Sequence, residues 1–175
     1  MRAVTRAVGA APQSIYAHFT DREDLLWAVL RGWFGELEHV LLQGGNAESS
    51  PRRRLEHLSR TYCRYGLMHP HRYRLLLLRD RPVRHDAPFE EFPGAGVFRI
   101  MQAAVADVLA DFVPDQKSPP HQAAFLATTD LLATLHGAVL FRIGLPSFPW
   151  PDVEDNIQWA IYALTLHGTE RPDKL

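Results

Sequence analysis

The sequence predicts an all-α protein. Three observations lead there: apolar residues recur at three-and-four spacing in segment after segment, proline and glycine fall where helices start and stop, and no segment sustains the period-two alternation a strand needs. The 175 residues, 46% hydrophobic and 22% charged, suit one globular domain of ordinary size or a small module joined to a larger one.

Arg2–Val8 reads as a short helix ended by Gly9, which can take the left-handed conformation a helix C-terminus favours. Pro12 sits where a first helical position should be and opens a second short helix, Gln13–Phe19. Thr20-Asp21-Arg22-Glu23 is a capping-box pattern, with Thr20 as the cap and Glu23 reaching back to it. The long helix it starts carries Leu25, Leu26, Val29, Leu30, Trp33, Phe34, Leu37, Val40 and Leu41, and ends near Gly44-Gly45. Ser50-Pro51 is the next start signal; that helix runs through Leu55, Leu58, Tyr62, Tyr65 and Met68 until His69-Pro70 ends or kinks it. His71–Arg79 is a further short helix with Tyr73, Leu76 and Leu77 inward, followed by a loop over Arg81–Pro93. Gly96–Val113 places Val97, Ile100, Met101, Ala104, Val105, Val108 and Phe112 on one side. After a linker at Pro114–Pro120, His121–Ile143 is a long helix with Phe125, Thr129, Leu132, His136 and Leu140 in line. Gly144–Pro151 is a stiff turn and Asp152–Leu166 the last helix.

Composition excludes several classes. One cysteine, Cys63, leaves no internal disulfide framework and no multi-cysteine zinc site. No apolar run approaches the ~18–20 residues of a membrane-spanning helix, and Arg6, Gln13 and His18 interrupt any signal-like stretch, so a soluble cytoplasmic protein without a membrane partner is expected. Net charge is −1, yet residues 51–81 carry nine arginines against Glu56 and Asp80. With 17 Arg and two Lys in the chain, this block is expected to be a solvated helix face rather than a phosphate site.

Two short helices joined by a tight turn and followed at once by a long helix describe a helix-turn-helix unit. In its second helix Gln13, Ser14 and Ala17 are small or polar groups suited to base edges. Tyr16 and His18 could donate to phosphates, and Arg22 begins the next helix, where backbone N–H groups favour an anion. Ile15 and Phe19, four apart, would anchor the unit to the core.

The run Val4-Thr5-Arg6-Ala7-Val8-Gly9-Ala10-Ala11-Pro12-Gln13-Ser14-Ile15-Tyr16-Ala17-His18-Phe19-Thr20-Asp21-Arg22-Glu23-Asp24-Leu25-Leu26 resembles the signature of the tetracycline-repressor (TetR) family of bacterial transcriptional regulators. More weakly, Tyr65–Leu75 and Leu132–Ala138, with its His136-Gly137 pair, resemble the regulatory domain of the branch named for a Trp-His-Gly motif, Leu132 standing at the Trp position. The resemblance implies a homodimeric, ligand-responsive repressor that binds double-stranded operator DNA. Residues 1–45 would form the head and connecting helix, and residues 46–175 a helical effector-binding and dimerisation domain. Family members usually have another helix ahead of the position where this chain starts; either the true start lies upstream, or the protein lacks that helix, or this chain is trimmed. Ala11 replaces the usual Ser or Thr cap, which forfeits about 1 kcal/mol of helix stability. A headless dimer that binds a small molecule and no DNA is the competing reading.

Nine histidines raise a metal site, but no His-Glu-x-x-His pattern exists, and His69-Pro70-His71 reads as a helix end; no metal or other cofactor is expected. Cys63 lies in an apolar helix, and there is no Gly-x-Ser-x-Gly elbow or phosphate loop, so an enzyme is not expected. Tyr62, Tyr65, Phe98, Met101, Phe125 and His136 fall at inward positions of three helices and could line a pocket for a small, mostly hydrophobic effector, although the same side chains would equally fill a solid core. In the last helix Val153, Ile157, Ile161 and Leu164 form one stripe, and Trp159, Tyr162 and Leu166 lie on another side. Ile157, Ile161 and Leu164, with Phe125 and Leu132, are the expected dimer contacts in a four-helix bundle.

Overall fold

The computed structural model of the chain describes residues 6–7, 9, 11–45, 50–75, 88–111 and 121–167. Among these residues there are seven α-helices, one 3₁₀ turn and no strand: α1 (Pro12–Tyr16), α2 (Arg22–Gly45), α3 (Pro51–Met68), α4 (Pro70–Leu75), the turn Phe89–Glu91, α5 (Ala95–Ala110), α6 (His121–Gly144) and α7 (Val153–His167). The all-α class is as the spacing predicts. Arg6 and Ala7 are helical and Gly9 is left-handed (φ 66°). The rest of the helix expected at Arg2–Val8, the linker at Pro114–Pro120, residues 81–87 of the expected loop, and Leu76, Leu77, Phe112 and the Leu166 side chain lie outside the described residues.

Start signals act as their chemistry dictates, with one change of register. Ser50 holds an extended conformation ahead of Pro51, and Pro70 opens α4 directly after His69 closes α3. At α2 the cap is Asp21, not Thr20: its carboxylate accepts the Asp24 N–H at 2.8 Å, and Asp24 in turn accepts the Thr20 N–H at 3.1 Å. The box is shifted one residue because a charged acceptor serves the positive helix end better than a hydroxyl.

α3 is the central helix, in contact with α2, α4, α5, α6 and α7. Its buried stripe, Leu55, Leu58, Ser59, Tyr62, Cys63 and Gly66, follows the expected spacing except at the end, where Met68 points to solvent. In that last turn Tyr65 and Leu67 still pack against the core, and only Met68 is left outside. Gly66 itself is where α4 and α6 come closest. A β-carbon there would stand 2.8 Å from the Tyr73 ring and 2.9 Å from Val139. One core joins α2 (Leu30, Trp33, Leu37, Leu41) to α3, α5 (Met101, Val105, Val108), α6 (Leu131, Leu135, Val139) and α7 (Ile157, Ile161). Each fully buried aliphatic side chain contributes roughly 1.5–3 kcal/mol.

α6 departs from two expectations. Its buried residues are Ala124, Thr128, Leu131, Leu135, Ala138, Val139 and Ile143, one step round from the stripe through Phe125, Thr129 and Leu132. Apolar residues surround the whole helix, so periodicity selects no face. At 24 residues it is also long and apolar enough to cross a membrane by length and composition, which the sequence reading missed. Here it is a core helix packed on α3, α5 and α7, with an apolar flank left outside. Thr128 and Thr129 donate to the carbonyls of Ala124 and Phe125, which lets hydroxyls sit on such a helix.

Among its described residues, the arginine block is a solvated face, four of its guanidinium groups held in ion pairs. Arg52 pairs with Glu56, Arg54 with Asp107 of α5, Arg60 with Glu154 of α7, and Arg72 with Glu36 of α2. Arg142 secures the α6–α7 turn by donating to Ala138 O, Pro151 O and Asn156 Oδ1.

Candidate functional site

α1 is shorter than expected and ends at Tyr16. Ala17 and His18 form a turn whose N–H groups donate to Gln13 O and Ile15 O, because the chain must reverse before Asp21 caps α2. Gln13, Ser14, Tyr16, Ala17 and His18 are all exposed, whereas Ile15 and Phe19 are half-buried. The polar row thus faces out while the apolar pair faces in. Arg22 is exposed at the first turn of α2. Asp21 already takes one N–H of the α2 N-terminus, that of Asp24, and the Arg22 guanidinium stands beside it. Ala11 caps α1 with no side-chain bond, as its methyl dictates.

A second feature lies between α2, α3, α5 and α6. It is an open cleft of about 410 Å³ walled by Phe34, Val97, Phe98 and Leu132, with Tyr62, Thr129 and His136 as its polar groups. Gly94 shapes its edge: the residue is left-handed (φ 93°), and a β-carbon would stand 2.9 Å from the Phe34 ring. Tyr73 Oη lies 2.5 Å from His136 Nδ1, and Tyr62 Oη lies 3.4 Å from both. Burial pushes both phenols above their ordinary pKa, so they stay protonated.

Of the residues expected in a pocket, Tyr62, Phe98 and His136 line this cleft, and Phe125 stands beside it with its ring 5.2 Å from Phe98. Met101 does not: it is fully buried, one helical step round α5 from Phe98. Tyr65 does not line it either; about 60° round α3 from Tyr62, it turns toward α2 instead. Its hydroxyl donates to Glu36 at 2.9 Å, and that bond together with the one from Arg72 holds the Glu36 carboxyl below its usual range, while burial and that carboxylate push Tyr65 up to about 12. Sequence reasoning assigned the lining residues Val97, Thr129 and Leu132 elsewhere, and it also missed Phe34 and Tyr73, the polar neighbour of His136. Both were legible as inward, but the Tyr73–His136 contact spans 63 residues, and no local pattern carries it. Cys63 is buried, and burial pushes its thiol up to about 12, which leaves it protonated. Among the described residues, no group of His, Cys, Asp and Glu is arranged to hold a metal.

Three of the expected dimer contacts need correction. Ile157 and Ile161 have no exposed surface and Leu164 very little, all within one chain, so they are core and cannot meet a partner. Leu132 belongs to the cleft wall. The stripe that stays outside on α7 is Trp159 (69% exposed) and Tyr162, their rings 5.7 Å apart; Phe125, Leu126 and Phe141 are exposed on α6.

Over residues 55–164 the chain matches the family described as "Tetracyclin repressor-like, C-terminal domain". In structure it is similar to a protein of unknown function from Rhodococcus sp. RHA1, with 23% identity and a TM-score of 0.67, over 94% of this chain and 82% of that one. It is also similar to the TetR family transcriptional regulator PfmR from Thermus thermophilus, with 16% identity and a TM-score of 0.60, over 95% and 87% of the two chains. No curated protein matches it. At these identities the two structures establish the fold alone. The family match spans more than half of the sequence, and the chain therefore belongs to the tetracycline-repressor (TetR) family of transcriptional regulators.

Proposed function

We propose that this TetR-family chain is a non-enzymatic, ligand-responsive repressor that binds double-stranded operator DNA as a homodimer. The observation that carries the reading is the single helix α2: Arg22 opens it beside the exposed row Gln13–His18, and Phe34 on the same helix walls the cleft. A ligand in the cleft and a duplex at the head would bear on one rigid element. Gln13, Ser14 and Ala17 would meet base edges in the major groove, and Tyr16, His18 and Arg22 would hold phosphates. The cleft would take the effector, and the outer faces of α6 and α7, through Trp159, Tyr162, Leu126 and Phe141, would pair two subunits. Ligand and DNA would then weaken each other's binding by one common factor.

The test is fluorescence anisotropy with labelled duplex across a salt series. Arg22→Ala is expected to weaken binding to every sequence and to lower the salt slope by about one unit, whereas Gln13→Ala relaxes base preference. Unchanged binding in both variants would remove Gln13–His18 as the reading surface. A dimer that binds cleft ligands but no DNA would favour the headless alternative.

A further inference from the structure

The cleft holds a buried hydroxyl whose two hydrogen bonds are both long. The Tyr62 hydroxyl, on a side chain only 7% exposed, has Tyr73 Oη and His136 Nδ1 as its polar neighbours, each at 3.4 Å. O–H···O bonds normally span about 2.5–3.0 Å. Tyr73 and His136 satisfy one another at 2.5 Å instead. If Nδ1 accepts, it takes the Tyr73 proton; if Nδ1 carries a proton, Tyr73 oxygen accepts it and the Tyr73 proton turns toward Tyr62 oxygen. Under either tautomer the Tyr62 proton lacks a short acceptor. Thr129 offers no donor in its place, because its hydroxyl donates to Phe125 O at 2.9 Å.

The remaining wall fixes the other half of the chemistry. Phe34, Val97, Phe98 and Leu132 are apolar, and no Asp, Glu, Lys or Arg lines the cleft among the described residues. A cation would lose its water without meeting a carboxylate, and an anion without meeting a guanidinium or ammonium, which disfavours both. The volume of about 410 Å³ falls in the range of small-molecule sites.

We propose that the cleft binds an uncharged, largely hydrocarbon molecule bearing one hydrogen-bond acceptor, such as a ketone or ester carbonyl, and that the Tyr62 hydroxyl donates to that atom. The proposal rests on the reading of the cleft as an effector site, and the experiment separates the two. Calorimetric titration of the full chain uses 2-acetylnaphthalene and its isostere 2-isopropenylnaphthalene, which replaces the carbonyl oxygen by CH₂, with 2-naphthoate and a naphthylmethyl trimethylammonium salt as charged comparators. The ketone is expected to bind about tenfold tighter than the alkene, the worth of one neutral hydrogen bond. Tyr62→Phe should erase that preference while keeping the alkene affinity, and Leu132→Trp, which fills the cleft, should weaken both. Equal binding of ketone and alkene, tighter binding of either charged probe, or a preference that survives Tyr62→Phe would overturn the proposal and leave the cleft standing. Failure of all four probes to bind, or indifference of binding to Leu132→Trp, would overturn the cleft itself.

Discussion

Replacing Ile157 by Asp and, separately, Trp159 by Asp asks which side of α7 belongs to the subunit's own core. The two residues are two positions apart and point in different directions: Ile157 has no exposed surface, whereas Trp159 is 69% exposed. Loss of a fully buried isoleucine side chain costs about 2–5 kcal/mol, and an unpaired carboxylate in its place adds several more. The sum exceeds about 5 kcal/mol, comparable with the ~5–15 kcal/mol that holds a whole domain together. For a chain of this length that lowers Tm by at least roughly 10–20 °C. Trp159→Asp removes no core contact, so the helical circular dichroism and a cooperative melt should persist, while sedimentation should change from dimer to monomer. An Ile157→Asp protein with the wild-type Tm would refute the burial argument. A Trp159→Asp protein that still sediments as a dimer would show that subunits meet elsewhere.

Two further outcomes follow from the same packing. Met101→Ala should cost about 2–5 kcal/mol in thermal or urea unfolding because Met101 is enclosed on all sides, whereas Phe125→Ala, at a residue 43% exposed beside the cleft, should cost distinctly less; equal losses would contradict the boundary drawn between core and cleft. Glu36 lies below its ordinary pKa of 4.5 through the Tyr65 and Arg72 hydrogen bonds, so its contribution is present above pH 4.5 and is lost as pH falls through the lowered folded value. Glu36→Gln should therefore lower Tm slightly near neutrality, an exposed cluster being worth at most about 1 kcal/mol, and the gap to wild type should close in acid; a gap that widens in acid would refute the assignment.

The legibility of this sequence depended on how one-sided each helix is. α3 and α5 alternate apolar stripes with polar faces, so Leu55, Leu58, Tyr62, Val97, Met101 and Val105 were readable as inward, and they are buried. α7 has two apolar sides; both stripes were visible, but nothing in their spacing told which would be taken up by the subunit itself. α6 is apolar all round, and there the expected stripe was displaced by one residue. The cleft was half readable for the same reason. Tyr62, Phe98 and His136 sit on separate helices whose inward sides were known approximately, while Tyr73 reaches His136 only because a proline break folds α4 back over Gly66. In the head, local order gave the turn at Gly9 and the start of α1 at Pro12, and Ile15 and Phe19 are half-buried as their spacing suggested. The α2 cap shifted from Thr20 to Asp21 by a preference between two neighbouring acceptors that spacing does not resolve.

Selection of bound duplexes from a randomised DNA pool by the purified full chain, with and without a cleft ligand such as 2-acetylnaphthalene, tests the central claim most directly. Two heads related by a dimer axis predict enrichment of an inverted repeat with half-sites about one helical turn apart, and its retention should fall when the ligand is present. Recovery of no symmetric sequence, or an enriched site whose binding is indifferent to a ligand shown to occupy the cleft, would contradict the account.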